Sequence, residues 1–401
     1  MKKKILFVIN TLSRAGAETA LLEMLRRLDS QEYEICLYII TGQGELVGKL
    51  PDHVRLLNPS FSKESVLTGK GRRKLTRKIC RSFVKNGRLF EKVCYIFRNL
   101  MIMVKERKIL IDKLLWRVLS DGADRFDVCF DLAMAWIEGG SVYYVADHVK
   151  ARRKAALIHI DYENAGYMRE MDQDCFERFT NIFAVSEETK KHFVNIYPEY
   201  AAKTDVLHNI VNQEVIRLKG QEKGGFSDGY GGFRILTVGR LTRQKGYDIA
   251  VEAMGLLKRK KYDIRWYVLG EGELRKVLTK KIQELGLEKD FLLLGQHDNP
   301  YPYYAQTDLY VHATRYEGKS IAIQEAQTLG CSVIASDCNG NLEQIEDGED
   351  GVLCELTPQA VAEKIEELYL NEEKRKQLGE KARIKDISCE RELRLFRNML
   401  E

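Results

Sequence analysis

The chain has 401 residues, 44% of them hydrophobic and 31% charged, which fits two or three packed domains of roughly 100–200 residues each and excludes a disordered or collagen-like chain. The 64 Lys+Arg against 59 Asp+Glu leave a net charge of +5. That sum conceals a segregation, because residues 63–113 hold sixteen Lys/Arg and four Asp/Glu, a local +12 that leaves −7 for the rest.

Lys2, Lys3 and Lys4 precede residues 5–9, which superficially resembles a signal peptide. Five apolar residues followed by Asn10 instead predict a buried first strand in a soluble, non-secreted chain. No apolar run approaches the roughly 20 residues of a membrane-crossing helix. A polar turn then leads through Gly16 into a helix over 17–28, and a second strand is expected at 35–40. Residues 63–113 interrupt this alternation. Phe83, Leu89, Phe90, Val93, Phe97 and Leu100 recur mostly at steps of three to four, so the insertion reads as helical. Its basic side is either a solvated face or a contact for anionic lipid headgroups. No nucleic-acid motif accompanies it, and no nucleic-acid partner is expected.

Strands resume at 126–133, 155–160 and 182–185, with His159 at the end of the second and Ser186 placed to cap the helix after the third. Alternating strands and helices predict a parallel sheet covered on both faces. Residues 220–232, rich in glycine among charges, read as a mobile loop near a domain boundary, after which the rhythm restarts. Strands are expected at 234–238, 266–269, 291–294, 309–312 and 332–335, and helices at about 247–257, 273–285, 320–329, 358–370 and 372–385. The pattern predicts two doubly wound α/β domains facing each other across a cleft, with ligands at the carboxyl ends of the strands. Nine cysteines, odd in number and without a C-x-x-C pair, predict reduced thiols that mostly fill core, Cys129, Cys331 and Cys354 among them. Seven histidines show no ligand spacing, so no structural metal is expected.

Two stretches carry chemistry. Residues 316–326 place Glu317 and Gly318 in a loop between a strand and a helix that starts near Ser320, with Gly330 as its stop. Amides at a helix start favour an anion, and Gly318 lets a ligand approach the backbone. Glu325 lies a little over one turn into that helix, so the two carboxylates can accept hydroxyls on either side of a phosphate. Residues 238–246 again run from strand to helix. They offer the Arg240 fork and the Lys245 point charge, both suited to a diphosphate.

The segment 234–351 resembles the donor-binding domain of glycosyltransferase family four, retaining enzymes of the GT-B fold. Glu317 and Glu325, separated by seven residues, match the family's glutamate pair, and Gly239-Arg240 with Lys245-Gly246 match its basic loop. Gly270-Glu271-Gly272-Glu273-Leu274 matches a further loop. Glu343-Gln344-Ile345 and Asp347-Gly348 through Gly351 resemble the ending, with Gln344 in place of an isoleucine. Gly16-Ala17-Glu18 resembles the family's Gly-Gly-x-Glu turn with Ala15 replacing its first glycine, and residues 206–209 resemble the segment entering the second domain. Residues 63–121 match nothing in the family.

The resemblance implies a GT-B chain with two facing Rossmann-like domains. The first, on the acceptor side, would span 1–205 with the basic helical insertion at about 60–121. The second would bind a nucleotide sugar over 206–382, and a helix over 383–401 would pack back on the first. It further implies a retaining, metal-independent hexosyltransferase of cell-surface polysaccharide synthesis with no bound cofactor. Such an enzyme would be cytoplasmic or peripheral on the membrane's inner face. It would take a UDP-sugar ahead of a GDP-sugar, and a glycan or polyprenyl-linked acceptor.

In that frame Arg240 and Lys245 hold the diphosphate, Glu317 lies near the donor sugar and Glu325 binds the ribose. Gly239, Gly318 and the amides of Lys319, Ser320 and Ile321 meet the phosphates or sugar. Gly16 lets the first domain approach the same phosphate, while Glu271 and Gln296 border the base. His159 lies near the sugar or is a hydrogen-bonded strand-end histidine. Asp161 and the Asp172/Asp174 pair, on a predicted helix after Met168, are not expected to hold a metal. The alternatives are a nucleotide-sugar epimerase or phosphorylase of the same fold, or a non-catalytic sugar-nucleotide-binding protein.

Overall fold

Apolar runs bounded by charge become the strands of two parallel sheets in the computed structural model, which describes residues 2–107, 109, 111–163, 165, 167–385, 387 and 390–400, with only the backbone of Asp112. Lys108 and Leu110 of the basic segment, Cys389 of the nine cysteines, and Asp386, Ser388 and Glu401 near the chain's end lie outside the described residues. Two compact units form, Met1–Ile210 with Cys389–Glu401, and Val211–Ser388.

The first unit holds β1 (Lys3–Ile9), β2 (Tyr33–Ile39), β3 (Val54–Leu56), β4 (Cys129–Ala135), β5 (Lys150–Ile158), β6 (Asn181–Ala184) and β7 (Thr204–Val206). They lie in the order β3-β2-β1-β4-β5-β6-β7, every pair parallel. Ile5 to Ile9 have no exposed surface, as a strand covered on both faces requires. The short β3 and β7 escape sequence reading because three residues carry no period.

Five helices of this unit matter below: α1 (Gly16–Arg27), α2 (Gly69–Val84), α3 (Leu89–Lys105), α4 (Ile111–Asp121) and α5 (Gly140–His148). The insertion is thus helical, as its spacing predicts. Helix α5 is missing from the sequence reading because it is buried on every side from Gly140 to Ala146, with Val142, Tyr143, Tyr144 and Val145 wholly covered, and so has no polar face there to set a period.

Three expectations need correction here. Strand β4 begins at Cys129 rather than 126, and Phe126 packs edge-on against Tyr38 at 5.2 Å instead. Cys129 is therefore exposed at the strand's first position, whereas Cys331 and Cys354 are buried as core. The short helix Arg169–Asp172 ends before Gln173 and Asp174, both of which adopt positive φ, so the Asp172/Asp174 pair does not share a helix. The Asp172 carboxylate is instead enclosed by three tyrosine hydroxyls, from Tyr143 at 2.7 Å, Tyr162 at 2.9 Å and Tyr197 at 2.5 Å.

The helix Glu390–Asn398 lies in the first unit, where Phe396 stacks on Phe7 with ring centroids 5.8 Å apart. The helix before it, Glu372–Ile384, belongs to the second.

The second unit holds β8 (Phe233–Val238), β9 (Ile264–Leu269), β10 (Phe291–Gly295), β11 (Leu309–His312), β12 (Val333–Ser336) and β13 (Val352–Cys354). Their order is β10-β9-β8-β11-β12-β13, all parallel. Residues 220–232 belong to this unit and are pinned, contrary to the mobile loop expected. Phe226 lies 4.4 Å from the Tyr267 ring and 5.0 Å from that of Tyr303, while Asp228 accepts from Tyr267 at 2.5 Å and Arg265 at 2.9 Å. The charge-rich composition suggested solvation, but a phenylalanine and an aspartate anchor the loop.

Candidate functional site

Strand order reverses between β8 and β11, so the loops leaving their carboxyl ends diverge around a crevice, the place where open α/β sheets bind ligands. Both stretches singled out in the sequence leave from this point. The loop after β8 is built by close backbone contacts. Gly239 donates to Leu269 O at 3.0 Å and accepts from the buried Tyr247 hydroxyl at 2.9 Å. A Cβ on Gly270 would fall 1.9 Å from Gly239 O, so only glycine fits there. Leu241 is buried and donates to Glu271 O at 3.0 Å. Arg240 projects between these anchors. Its guanidinium is exposed and has no hydrogen-bond or ion-pair partner among the described residues.

The loop after β11 is tied to the first. Gln244 O accepts from Arg315 N at 2.8 Å and from Thr314 Oγ1 at 3.0 Å, and Gln244 Nε2 donates to Tyr316 O at 2.9 Å. Gly246 has φ +58°, and a Cβ there would lie 2.1 Å from Ala313 O. Arg315 grips Asp248 with both terminal nitrogens, at 2.9 and 2.7 Å. These bonds bring Lys245 onto Glu317, where the ammonium donates to Oε2. Beneath them Gly340 presses on the loop, since a Cβ there would come within 1.9 Å of Gly318 O and 2.3 Å of Glu317 O.

The helix Ile321–Thr328 starts beside this pair. Ser320 is its extended N-cap but gives no side-chain bond, and the first intrahelical bond runs from Gln324 N to Ser320 O at 3.3 Å. The amides of Ile321, Ala322 and Ile323 therefore have no helix carbonyl to donate to, and they add a partial positive charge. An ion-paired ammonium and a helix start thus meet on loops knitted together by these bonds, with Arg240 exposed on the first of them.

Sequence reading missed His312. This last residue of β11 is buried, with Nε2 3.3 Å from Glu317 Oε2 and Nδ1 3.2 Å from the Tyr310 hydroxyl. A carboxylate only accepts, which assigns the ring proton to Nε2. Burial and the adjacent Lys245 charge lower the His312 pKa against the pull of Glu317, so the ring is neutral. Burial disfavours an ionised Glu317, but the Lys245 charge and the His312 bond outweigh it and hold the carboxyl at about 2. No motif signals His312; strand end and carboxylate meet only in the fold.

Glu325 is not drawn into this group. Its oxygens accept from the Tyr301 and Tyr304 hydroxyls, each at 3.1 Å, and burial raises its pKa to about 7 despite them. Glu271 pairs with Arg275 at 2.7 Å, and Gln296 is exposed immediately after β10.

In the first unit the switch point lies between β1 and β4. Asn10, after β1, donates to Glu138 O at 2.9 Å and accepts from Ser141 N at 2.7 Å. Gly16 is exposed at the first position of α1. His159 follows β5 directly, and its amide donates to Glu138 Oε2 at 2.9 Å. Burial lowers its pKa to about 4. Its Nε2 is buried with no hydrogen-bond partner.

Two groups of metal-ligating residue types also assemble here, Asp121 with Asp147 and His148, and Asp161 with Glu163 and His192. Neither is visible as sequence spacing. Asp147 is also paired with Arg117 and Arg178, which disfavours a cation there.

Residues 230–385 match the family model for glycosyl transferases group 1. A Campylobacter jejuni N-acetylgalactosamine-N,N'-diacetylbacillosaminyl-diphospho-undecaprenol 4-alpha-N-acetylgalactosaminyltransferase is 30% identical over 217 residues, 54% of each chain. A Staphylococcus aureus poly(ribitol-phosphate) alpha-N-acetylglucosaminyltransferase is 24% identical over 240 residues, 58% of this chain and 47% of its own. The chain thus spans about half the length of these curated relatives. Anabaena HepE, solved with UDP, superimposes over 100% of this chain and 99% of its own with a TM-score of 0.68 at 16% identity. The chain has the GT-B fold, and its residues 230–385 are similar to the glycosyl transferases group 1 family, in agreement with the family-four resemblance of the motifs in that segment.

Proposed function

We propose that the protein transfers a hexose-type sugar, with retention, from a nucleoside-diphosphate sugar to a glycan or lipid-linked acceptor in cell-surface polysaccharide synthesis. The observation that carries this reading is the junction of the two strand-end loops, where Lys245 meets Glu317 beside a helix start and an unpartnered Arg240. Arg240, Lys245 and the amides at the helix start, from Lys319 to Ile321, hold the diphosphate. They stabilise the charge it gains as the bond to the sugar breaks, the task a metal performs in other transferases. Gly239 and Gly318 leave room for that approach. Glu325 receives the ribose hydroxyls, and Glu271 and Gln296 border the base. UDP is the expected nucleotide, in keeping with the UDP bound by the structural relative HepE.

Glu317, ionised and held by Lys245 and His312, faces the sugar. In the same-face reaction we favour, the bond between the anomeric carbon and the phosphate oxygen breaks. The acceptor oxygen bonds to that carbon on the same side, and the leaving phosphate takes the acceptor's proton. Lipid-linked acceptors are favoured by the undecaprenol-linked substrate in the Campylobacter relative's name. The basic segment 63–113 would bring the enzyme to the anionic cytoplasmic face of a membrane. No helix among the described residues is long and apolar enough to cross one.

Nucleotide release from a panel of sugar nucleotides, with and without acceptor extract, tests the reading. Release of UDP that rises with acceptor supports it. Donor binding without transfer or hydrolysis would instead mark a non-catalytic binding protein.

A further inference from the structure

Helix α3 has two unlike faces. Inward, Tyr95 and Met103 pack with Leu114 of α4 and with Met171. Lys92 turns the same way and caps α2, its Nζ donating to Ser82 O at 2.7 Å and Lys85 O at 2.9 Å. Outward, Phe90, Val93, Phe97, Met101 and Val104 are 80, 49, 66, 57 and 53% exposed. At 100° per residue these five fall within an arc of about 80°, roughly opposite the buried face. An apolar ridge one side chain wide thus runs along nearly the whole helix, and no other element of its unit covers it.

The charge around the ridge is one-sided. Residues 69–105 hold twelve Lys/Arg and one Asp/Glu. Helix α2 supplies seven of the cations and no acid, Arg88 opens α3, and Arg98 and Lys105 flank the ridge on α3 itself. Two copies of this chain meeting on the ridge would bring like charges together. A glycan would meet methyl and phenyl groups where it needs hydrogen-bond partners. An anionic bilayer answers both features, with acyl chains for the ridge and phosphates for the cations.

We propose that α3 lies in the surface plane of an anionic membrane with Phe90, Phe97 and Met101 inserted among the lipids. This deepens the membrane contact named above, which electrostatics alone would satisfy, and assigns the anchoring to insertion of one helix. The full-length chain is tested by flotation with phosphatidylcholine vesicles with and without phosphatidylglycerol. Wild type floats with the anionic vesicles. The double variant Phe90→Asp/Phe97→Asp loses about ten-fold or more of that binding, while its nucleotide release from the sugar donor is unchanged. Phe97→Trp, a conservative change, shows a blue-shifted emission with anionic vesicles only.

An unmoved Phe97→Trp emission, or a double variant that floats like wild type, overturns the insertion and leaves a purely electrostatic contact. A double variant that changes from dimer to monomer in sedimentation also overturns it, because the ridge then joins two copies. Wild type that turns over no sugar nucleotide while ridge-dependent flotation persists leaves the insertion standing and removes the transferase reading.

Discussion

The Lys245 ammonium is bonded to the Glu317 carboxylate, an ion pair that adds to the backbone and side-chain bonds joining the loop after β8 to the loop after β11 at the switch point of the second sheet. The shared oxygen, Oε2, also faces His312 Nε2 at 3.3 Å. The cation is thus fixed in place by the carboxylate, and the carboxylate is kept charged by partners on two different elements.

Replacing Glu317 by Gln keeps the shape and a hydrogen bond to His312 but removes the charge. Donor turnover should fall by roughly 10²–10³, and full turnover would dismiss a charged role for Glu317. The folded-state pKa of about 2 lies below the ordinary 4.5. Glu317 therefore adds stability that is complete above about pH 4.5 and fades as pH falls toward 2. Urea midpoints of wild type and Glu317→Gln should converge over that acid window.

Arg240 is exposed and unpartnered, so Arg240→Ala should change stability by no more than about 0.5 kcal/mol. Turnover should nevertheless drop by roughly 10²-fold or more, if it holds the leaving phosphate. EDTA should leave wild-type turnover unaltered. Loss of activity with EDTA that magnesium restores would show that a metal shares this task.

Gly340→Ala tests the backing of the loop. Its Cβ must displace the carbonyls of Glu317 and Gly318, which lie 2.3 and 1.9 Å away. The expected cost is about 1–3 kcal/mol. Donor KM should rise because the glutamate and the helix start move together. Unchanged KM and thermal midpoint would mean that this close approach is relieved without moving the site.

Glu325 has the opposite pH behaviour to Glu317. Its folded value of about 7 exceeds the ordinary 4.5, so burying the ionised form costs stability above about pH 7 and costs nothing below about pH 4.5. Glu325→Gln should therefore gain on wild type by about 1–3 kcal/mol between acid and alkaline ends of that range. Donor affinity should fall in the same variant. A stability difference that stays flat with pH would show that Glu325 is not the buried acid described.

Asp172→Asn should destabilise the first unit by about 2–4 kcal/mol, because one amide oxygen cannot replace the acceptors used by three tyrosine hydroxyls. Calorimetry checks this. A neutral effect would contradict the enclosed structural carboxylate and reopen its Asp-x-Asp spacing to other roles.

Periodicity and short motifs determined much of this protein without coordinates. The alternation of apolar runs with amphipathic helices gave the two parallel sheets, because strands covered on both faces must be continuously apolar. Arg240, Lys245, Glu317 and Ser320 could be singled out as candidates because glycine and charge gather in the two loops between a strand and a helix.

Only the tertiary structure decided the rest. It joined Lys245 to Glu317, separated Glu325 onto two tyrosines, supplied His312 from a strand end, and enclosed Asp172 among residues distant in sequence. It also turned an apolar face of α3 outward, which helical spacing alone cannot tell from a buried one. Local pattern fixes which side of a helix is apolar; what that side touches depends on where the helix is seated, and pairings between separate loops and strands exist only once the chain is folded.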